Sequence, residues 1–212
     1  MLKSLEKFFR KLSTNLMKLL RGENVLIVNQ PADKWNNQFI EGKWDFLIKN
    51  INNKGPAAII GILCRYWANH KPIKILEVGC GNGSVAEIVN IMCPDCKYFG
   101  LDFSETAIQS MKILNPNATT FLGDANKPQD FKDKFDVIIF SDVLYYLDFE
   151  RVIQTYKKFL NKDGVFIISL YKTLRTKLIG YRINKYLKHI VTYTVHNKEK
   201  NITWTIKMSK PK

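Results

Sequence analysis

The sequence lacks any run of about 18 or more apolar residues, which argues against a transmembrane helix. It also lacks an uncharged apolar stretch near its start, because charged residues recur through positions 3–18, so we expect no secretory signal peptide. Neither an internal repeat nor a low-complexity tract is present. With 46% hydrophobic residues among 212, the chain suits one domain with a modest extension.

Cysteine is scarce, with four residues in the whole chain. Cys93 and Cys96 have the C-x-x-C spacing of metal and redox sites. A zinc site would need a second pair of ligands at matching spacing, and a redox pair normally opens a helix. The sequence offers neither feature. We therefore predict two ordinary loop thiols, no metal, and a reduced, cytoplasmic protein.

Acidic residues are scarce at both ends of the chain, whose formal net charge is +14. Segment 171–212 carries eleven Lys or Arg residues against one acid, and segment 1–21 carries six against one. The middle is nearly neutral. Such ends favour an anionic partner, whether nucleic acid, a phosphorylated substrate or a membrane surface, but solvated cationic faces explain the same composition equally well.

The first 70 residues predict a helical cap. Apolar residues at alternating spacings of three and four predict an amphipathic helix over 2–20, with a cationic opposite face. Peripheral membrane contact through 1–21 is one hypothesis; we favour packing on its own domain or on a sister chain. Further helices are expected within 35–53 and 56–68. Nothing in the sequence indicates the oligomeric state.

From residue 71 to 212 the pattern predicts a second unit of the α/β class. Strands and helices alternate, and two β-branched runs at the end predict a hairpin. This order indicates a doubly wound parallel sheet. The predicted strands are 73–78, 98–101, 119–122, 135–140, 165–170, 190–196 and 202–208; the helices are 84–92, 105–114 (capped by Ser104) and 149–160, with a turn at 161–164.

A glycine-rich segment directly follows the first strand, where residues 77–83 read Glu-Val-Gly-Cys-Gly-Asn-Gly. Glycines let the backbone turn sharply and approach a ligand, and the next helix presents free N–H groups. Asp102 ends the second strand, nineteen residues after Gly83, where a carboxylate can accept hydrogen bonds from ribose hydroxyls. Asp124 follows the third strand, within reach of an adenine amino group.

This ordered set resembles the class I S-adenosylmethionine-dependent methyltransferases. The resemblance implies a Rossmann-like, seven-stranded sheet, mostly parallel with an antiparallel last strand, and S-adenosyl-L-methionine as the cofactor. It implies that the glycine loop holds the methionyl part, Asp102 the ribose and Asp124 the adenine. The residues expected to bind the cofactor are Glu77, Gly79, Cys80, Gly81, Asn82, Asp102, Phe103, Asp124, Ala125 and Ser141.

Segment 141–147, Ser-Asp-Val-Leu-Tyr-Tyr-Leu, resembles the NodS-like nodulation N-methyltransferases. That group methylates an amino group on a chito-oligosaccharide intermediate, and it usually has Glu where this chain has Asp142. A dehydrogenase is the rival for the glycine loop. The loop reads G-x-G-x-G rather than G-x-G-x-x-G, and with about 70 residues before the first strand we expect no separate substrate domain, so we favour the methyl donor.

Candidate catalytic and substrate residues follow from the rule that ligands bind at the carboxyl ends of parallel strands. His196 is the one histidine of the three expected at that edge, although an exposed hairpin histidine is the simpler interpretation. The tryptophans are expected either to cover the site or to anchor the cap. We expect catalysis by Asp142, Tyr145 and His196, and substrate binding by Trp35, Trp44, Tyr146 and Tyr171.

The preferred function is N- or O-methylation of a small-molecule acceptor such as a sugar or an amine. The second hypothesis is an RNA or protein methyltransferase that uses the basic ends; segment 171–188 interleaves tyrosines with Lys and Arg, as RNA-binding faces do. The same segment suits an anionic sugar nucleotide, a lipid phosphate or a solvated amphipathic helix. Nucleic acid is not favoured, because no Asn-Pro-Pro-Tyr or Asp-Pro-Pro-Tyr segment follows the fourth strand. The third hypothesis is a non-catalytic binding module.

Overall fold

The computed structural model describes residues 31–50, 53–127 and 129–212. The amphipathic helix predicted at 2–20, with any membrane contact through 1–21, lies outside the described residues. From residue 31 onward, the helices α1 (Ala32–Ile40), α2 (Phe46–Lys49) and α3 (Gly55–Ala68) precede the sheet. Pro56 lies in the first turn of α3, where its missing N–H costs no helical hydrogen bond, and Asn69 ends the helix in the left-handed conformation.

Strands and helices then alternate as the sequence predicts. Ser104 caps α5, where its Oγ accepts the backbone N–H of Ala107 at 3.2 Å. No helix in the described ranges has the length and apolar character needed to cross a lipid bilayer. The elements are β1 (Lys74–Val78), α4 (Ser84–Met92), β2 (Lys97–Asp102), α5 (Glu105–Leu114), β3 (Thr119–Leu122), β4 (Phe135–Ser141), a 3-10 turn (Leu144–Tyr146), α6 (Phe149–Lys157), β5 (Leu160–Tyr171), α7 (Leu174–Ile183), β6 (Leu187–Asn197) and β7 (Ile202–Pro211).

The strands form one seven-stranded sheet in the order β3-β2-β1-β4-β5-β7-β6. The pairs among β1 to β5 are parallel, whereas β7 runs antiparallel to both β5 and β6. This confirms the Rossmann-like α/β sheet with an antiparallel last strand. The division of the chain into 1–70 and 71–212 stays a prediction.

Both faces of the sheet are covered, which explains why its central strands are almost wholly apolar. Along β4, Val137 and Ile139 point to the layer that contains α3, α4 and α5. Ile138 and Phe140 point to the layer that contains α6 and α7. All four side chains are fully buried, so the strand is fixed in register from both sides.

The turn predicted at 161–164 is wrong. These residues lie within β5, at a bulge where pairing with β4 is interrupted: Phe135 pairs with Leu160, but Val137 pairs with Val165. The extra residues on β5 are accommodated without a chain reversal, and Asn161 Nδ2 donates to Asp136 Oδ1 at 2.6 Å.

The prediction of two free loop thiols is also wrong, because the structure joins Cys93 and Cys96 in a disulfide. Their Cα atoms are 5.5 Å apart, within the range that a disulfide spans. Cys64 and Cys80 are free and buried. The cytoplasmic location, which rested partly on reduced thiols, stays a prediction.

Candidate active site

A cavity of about 1170 Å³ opens at the edge where the parallel strands end. The strand order reverses there, between β1 and β4, and open α/β sheets bind ligands at such a point. With the exception of His196, every cofactor, catalytic and substrate residue that the sequence predicts lines this cavity. The topology therefore brings together residues that are more than 130 positions apart.

The glycine loop lies between β1 and α4 and bends toward the end of β2. The backbone N–H groups of Gly79 and Cys80 both donate to the carbonyl of Leu101, at 2.7 and 3.1 Å. Gly79 has a φ of +75°, and a Cβ there would lie 2.5 Å from Val143 Cγ2. Only glycine fits this position, so the loop can run close under the cavity floor.

Asp102 joins the end of β2 to the glycine loop. Its Oδ2 accepts the backbone N–H of Gly81 and its Oδ1 that of Ser104, both at 2.9 Å. Burial raises the pKa of the Asp102 carboxyl above its usual value, and these hydrogen bonds oppose that rise. Each carboxylate oxygen retains a lone pair that can accept a further hydrogen bond from a ligand hydroxyl.

Glu77 lies at the base of the cavity, with 2% of its surface exposed. It accepts a hydrogen bond from Tyr98 Oη at 2.7 Å. Burial raises the pKa of Glu77 to about 8, the Tyr98 hydrogen bond lowers it, and the charge of Asp102 raises it. The side chain is therefore mostly protonated at neutral pH and can donate as well as accept a hydrogen bond.

Asp124 follows β3 at the outer end of the cavity, beside Ala125. Its Oδ1 accepts the backbone N–H of Asn126 at 2.9 Å, and its carbonyl accepts Gln129 Nε2 at 2.7 Å. The first bond orients the carboxylate, and Oδ2 has no hydrogen bond to any of the described residues. Phe103, whose side chain is 36% exposed, lines the same cavity from the residue that follows Asp102.

Asp142 follows Ser141 at the end of β4, and its backbone takes the left-handed conformation at a φ of +52°. Its Oδ1 accepts the backbone N–H of Tyr171, and its Oδ2 accepts Trp204 Nε1, both at 2.9 Å. Burial raises the pKa of Asp142 to about 7, and these two hydrogen bonds lower it. An unusual backbone conformation at a polar cavity residue is typical of functional sites.

Aromatic side chains form the wall above the glycine loop. The rings of Trp35 and Trp44 stack at 5.5 Å between centroids, and Trp35 meets the edge of Tyr146 at 4.7 Å. The carbonyl of Trp44 accepts Asn82 Nδ2 at 3.3 Å, which ties this wall to the loop. The buried Nε1 of Trp44 has no hydrogen-bond partner within the described residues.

Three tyrosines continue the wall toward β5. The ring of Tyr145 lies 4.4 Å from that of Tyr146 and 5.2 Å from that of Tyr171. Burial raises the pKa of Tyr145 well above its usual value, so the phenol stays neutral. Tyr171, with 37% of its surface exposed, marks the mouth of the cavity.

His196 is not brought to this site. It lies at the expected edge of the sheet, but its side chain is exposed and its Nδ1 lies 2.9 Å from Thr203 Oγ1, a hydrogen bond across the hairpin. Thr203, its partner in the pairing of β6 with β7, lines the cavity, whereas His196 lies one strand farther out.

Some cavity residues were missed by the sequence reasoning. Trp204 reaches Asp142 only because β7 pairs with β5, and no local pattern around Trp204 indicates this. Lys172 and Lys200 line the mouth, and the ammonium of Lys200 lies 4.6 Å from the ring centroid of Phe46. Lys54 and Lys127 also line the cavity, so both carboxylates and ammonium groups border it.

Comparisons with known proteins agree on the fold. A family model described as a methyltransferase domain matches residues 69–209. The malonyl-[acyl-carrier protein] O-methyltransferase of Bacillus anthracis is 28% identical over 125 residues, which cover 58% of this chain and 46% of that protein. The tRNA (guanine-N(7)-)-methyltransferase of Metamycoplasma hominis is 34% identical over 115 residues, which cover 46% of this chain and 55% of that protein. The chain thus spans about half the length of these curated relatives.

Among solved structures, the N-methyltransferase NodS from Bradyrhizobium japonicum WM9, in complex with S-adenosyl-L-homocysteine, matches with a TM-score of 0.69 at 15% identity. The match covers 85% of this chain and 98% of that one. At this identity the likeness concerns the fold.

Proposed function

The chain belongs to the family of methyltransferase domains, of the class I S-adenosylmethionine-dependent type, and from this membership we propose that it transfers a methyl group to a nitrogen or oxygen atom of a small-molecule acceptor. The observation that carries the proposal is Asp102, whose carboxylate is fixed by Gly81 and Ser104 at the floor of the cavity. A buried, oriented carboxylate beside a glycine loop is the arrangement that a ribose requires.

The donor set of the cavity suits S-adenosyl-L-methionine. Asp102 would accept hydrogen bonds from the ribose hydroxyls, and Asp124 would accept one from the adenine amino group. The loop at 79–83 would border the methionyl part. Phe103 and Ala125 supply the apolar contact that an adenine ring needs. The carboxylates also suit a cationic ligand. The solved NodS structure contains S-adenosyl-L-homocysteine, which supports the same ligand class here.

When bound, S-adenosyl-L-methionine supplies a methyl group that its sulfonium charge already activates. The protein then has to align the acceptor and exclude water, and alignment alone can lower a barrier by roughly 7–11 kcal/mol in favourable models. Asp142, fixed by Trp204 and Tyr171, would hold an acceptor N–H or O–H. With a pKa of about 7 it would also accept a proton from that group near neutral pH.

A small-molecule acceptor is favoured by the walls of the cavity. Stacked Trp35 and Trp44, with Tyr146, offer flat apolar surfaces of the kind on which sugar rings and other compact metabolites pack. NodS is named as an N-methyltransferase and the malonyl-[acyl-carrier protein] enzyme as an O-methyltransferase, so either nitrogen or oxygen is a reasonable acceptor atom. We propose further that α1 and α2 act as a cap over the cofactor, as parts of an N-terminal unit that ends near residue 70.

The second candidate is an RNA or protein methyltransferase. It is favoured by the charge of segment 171–212, which carries eleven Lys or Arg residues and one acid, and by the name of the tRNA relative. A filter-binding assay over a salt series separates the two, since RNA binding would fall steeply with salt. The third candidate, a non-catalytic module, would bind the cofactor but turn over no acceptor.

Calorimetry with S-adenosyl-L-homocysteine tests the cofactor site. We expect binding by the wild type and a loss of at least about 100-fold in Asp102→Ala, because the loop and the ligand both lose their acceptor. The matched control is Asp163→Ala, an exposed acid on β5 distant from the cavity. Unchanged affinity in Asp102→Ala would overturn the assignment. Transfer of a labelled methyl group to a metabolite extract of the source cell, with mass spectrometry of the product, then identifies the acceptor.

A further inference from the structure

Helix α7 has two apolar faces, and within the described residues only one of them packs against the domain. Thr176, Ile179 and Ile183 are buried against the domain. Leu174, Leu178 and Tyr181 lie on the opposite side, within an arc of roughly 60° at about 100° per residue. Their exposed fractions are 77%, 46% and 73%. We name these three residues the α7 stripe.

Cations surround the α7 stripe and acids are missing from it. Segment 171–188 contains six Lys or Arg residues and no Asp or Glu. Of these six, Arg182 is the one with a carboxylate partner, Glu150, within residues 31–50, 53–127 and 129–212. Lys177 is exposed on the helix itself, and Lys172 and Lys185 are exposed at its two ends. The stripe is therefore an apolar strip bordered by positive charge, most of it without a carboxylate partner in the described part of the chain.

The stripe begins where the cavity ends. Tyr171, Lys172 and Thr173 line the cavity mouth, and Leu174 follows directly. Thr173 caps α7 and forms a capping box with Thr176, so the orientation of the helix relative to the mouth is fixed. Whatever binds the stripe thus lies beside the mouth of the cavity.

We propose that the α7 stripe docks on an anionic membrane surface. Exposed Leu and Tyr side chains flanked by Lys and Arg are the combination that inserts apolar groups among lipid headgroups while pairing cations with lipid phosphates. Nucleic acid would use the cations but would leave Leu174 and Leu178 without a role. The proposal does not depend on methyl transfer, since docking is measured without cofactor or acceptor.

Co-sedimentation of the full chain with vesicles tests the proposal. The probes are phosphatidylcholine alone and phosphatidylcholine with about one-third phosphatidylglycerol. We expect binding to the anionic vesicles, weakened at least about tenfold in Leu174→Gln/Leu178→Gln/Tyr181→Gln. The matched control, Ile62→Gln/Tyr66→Gln, changes exposed apolar residues of α3 and should bind as the wild type does. A second variant, Lys177→Gln/Lys185→Gln, should weaken binding and flatten its salt dependence.

Several outcomes would overturn the proposal. The first is that the wild type does not bind vesicles. The second is that the triple variant binds as well as the wild type, which would assign the contact to another segment such as 1–21. Binding to a tRNA pool but not to vesicles would assign the face to RNA. Loss of a dimer in the triple variant during sedimentation equilibrium would assign it to a second copy. Retained S-adenosyl-L-homocysteine binding by the triple variant separates these outcomes from failure of the cofactor site.

Discussion

The indole N–H of Trp204 on β7 donates to Oδ2 of Asp142 at the end of β4, at 2.9 Å. The two residues are held together by the sheet, because β7 pairs with β5 and β5 with β4. The antiparallel last strand thus contributes to the candidate active site as well as to the sheet edge.

Trp204→Phe should raise the pKa of Asp142 further above about 7. The substitution keeps an aromatic ring but removes the donor, and a hydrogen bond worth about 1 kcal/mol corresponds to roughly one pH unit. The measurement is a carboxyl ¹³C NMR titration, with the Asp142 signal assigned from Asp142→Asn. Trp67→Phe, on α3, is the control and should leave that titration unchanged. An unmoved Asp142 titration in Trp204→Phe would contradict the proposed positioning role.

Gly83→Ala should destabilise the protein by about 2 kcal/mol. Gly83 has a φ of +85°, and an added Cβ would meet Asn115 Nδ2 at 2.5 Å. The matched control is Gly180→Ala in α7, where a Cβ would meet nothing within 4 Å. Because alanine favours a helix over glycine, that variant should gain roughly 0.5–1 kcal/mol. Urea unfolding of both variants provides the check, and equal effects at the two positions would refute the steric argument.

Glu77 should make the protein less stable as the pH rises from about 4.5 through about 8. In that interval the folded state keeps a proton that the unfolded state has released, so the free energy of unfolding falls with pH. Glu77→Gln should remove the contribution of Glu77 to this decline, which at about 1.4 kcal/mol per pH unit amounts to roughly 5 kcal/mol. A decline of similar size from Asp142 remains, up to about pH 7, and the raised pKa of Asp102 acts in the same direction. Urea unfolding from pH 4 to 9 measures it.

The matched control for this pH series is Glu105→Gln, which changes an exposed glutamate at the start of α5. It should leave the decline as in the wild type. A Glu77→Gln profile that superimposes on the wild-type profile would mean that Glu77 is ionised in the folded state throughout.

Trp35→Ala should weaken S-adenosyl-L-homocysteine binding about tenfold and raise the KM for the acceptor about tenfold. Its ring touches Trp44, Phe103 and Tyr146, which border the two halves of the cavity, and loss of a large aromatic contact costs a few kcal/mol at most. Calorimetry measures the first effect and steady-state kinetics the second. The control is Trp67→Ala, distant from the cavity, which should change neither value. If only one of the two ligands bound more weakly, Trp35 would contribute only to the part of the cavity that binds that ligand.

The sequence by itself determined the alternation of strands and helices, the terminal hairpin, and which residues from Glu77 to Ser141 would line a cavity at the strand ends. These features are local: apolar periodicity, glycines after a strand, and acids at strand ends are all written in short segments. The parallel sheet then places strand ends at one edge, so Asp102, Asp124 and Asp142 meet without further information.

Only the tertiary structure decided which side chains on the last strands face the cavity, because that depends on pairing partners and on strand alternation rather than on local pattern. Trp204 entered the site through its pairing with β5, whereas His196 contacts Thr203 and does not line the cavity. The Cys93–Cys96 disulfide and the bulge at 161–164 likewise required distances and register that no short segment specifies. The outward face of α7 became informative only once its inward face was known to be Thr176, Ile179 and Ile183.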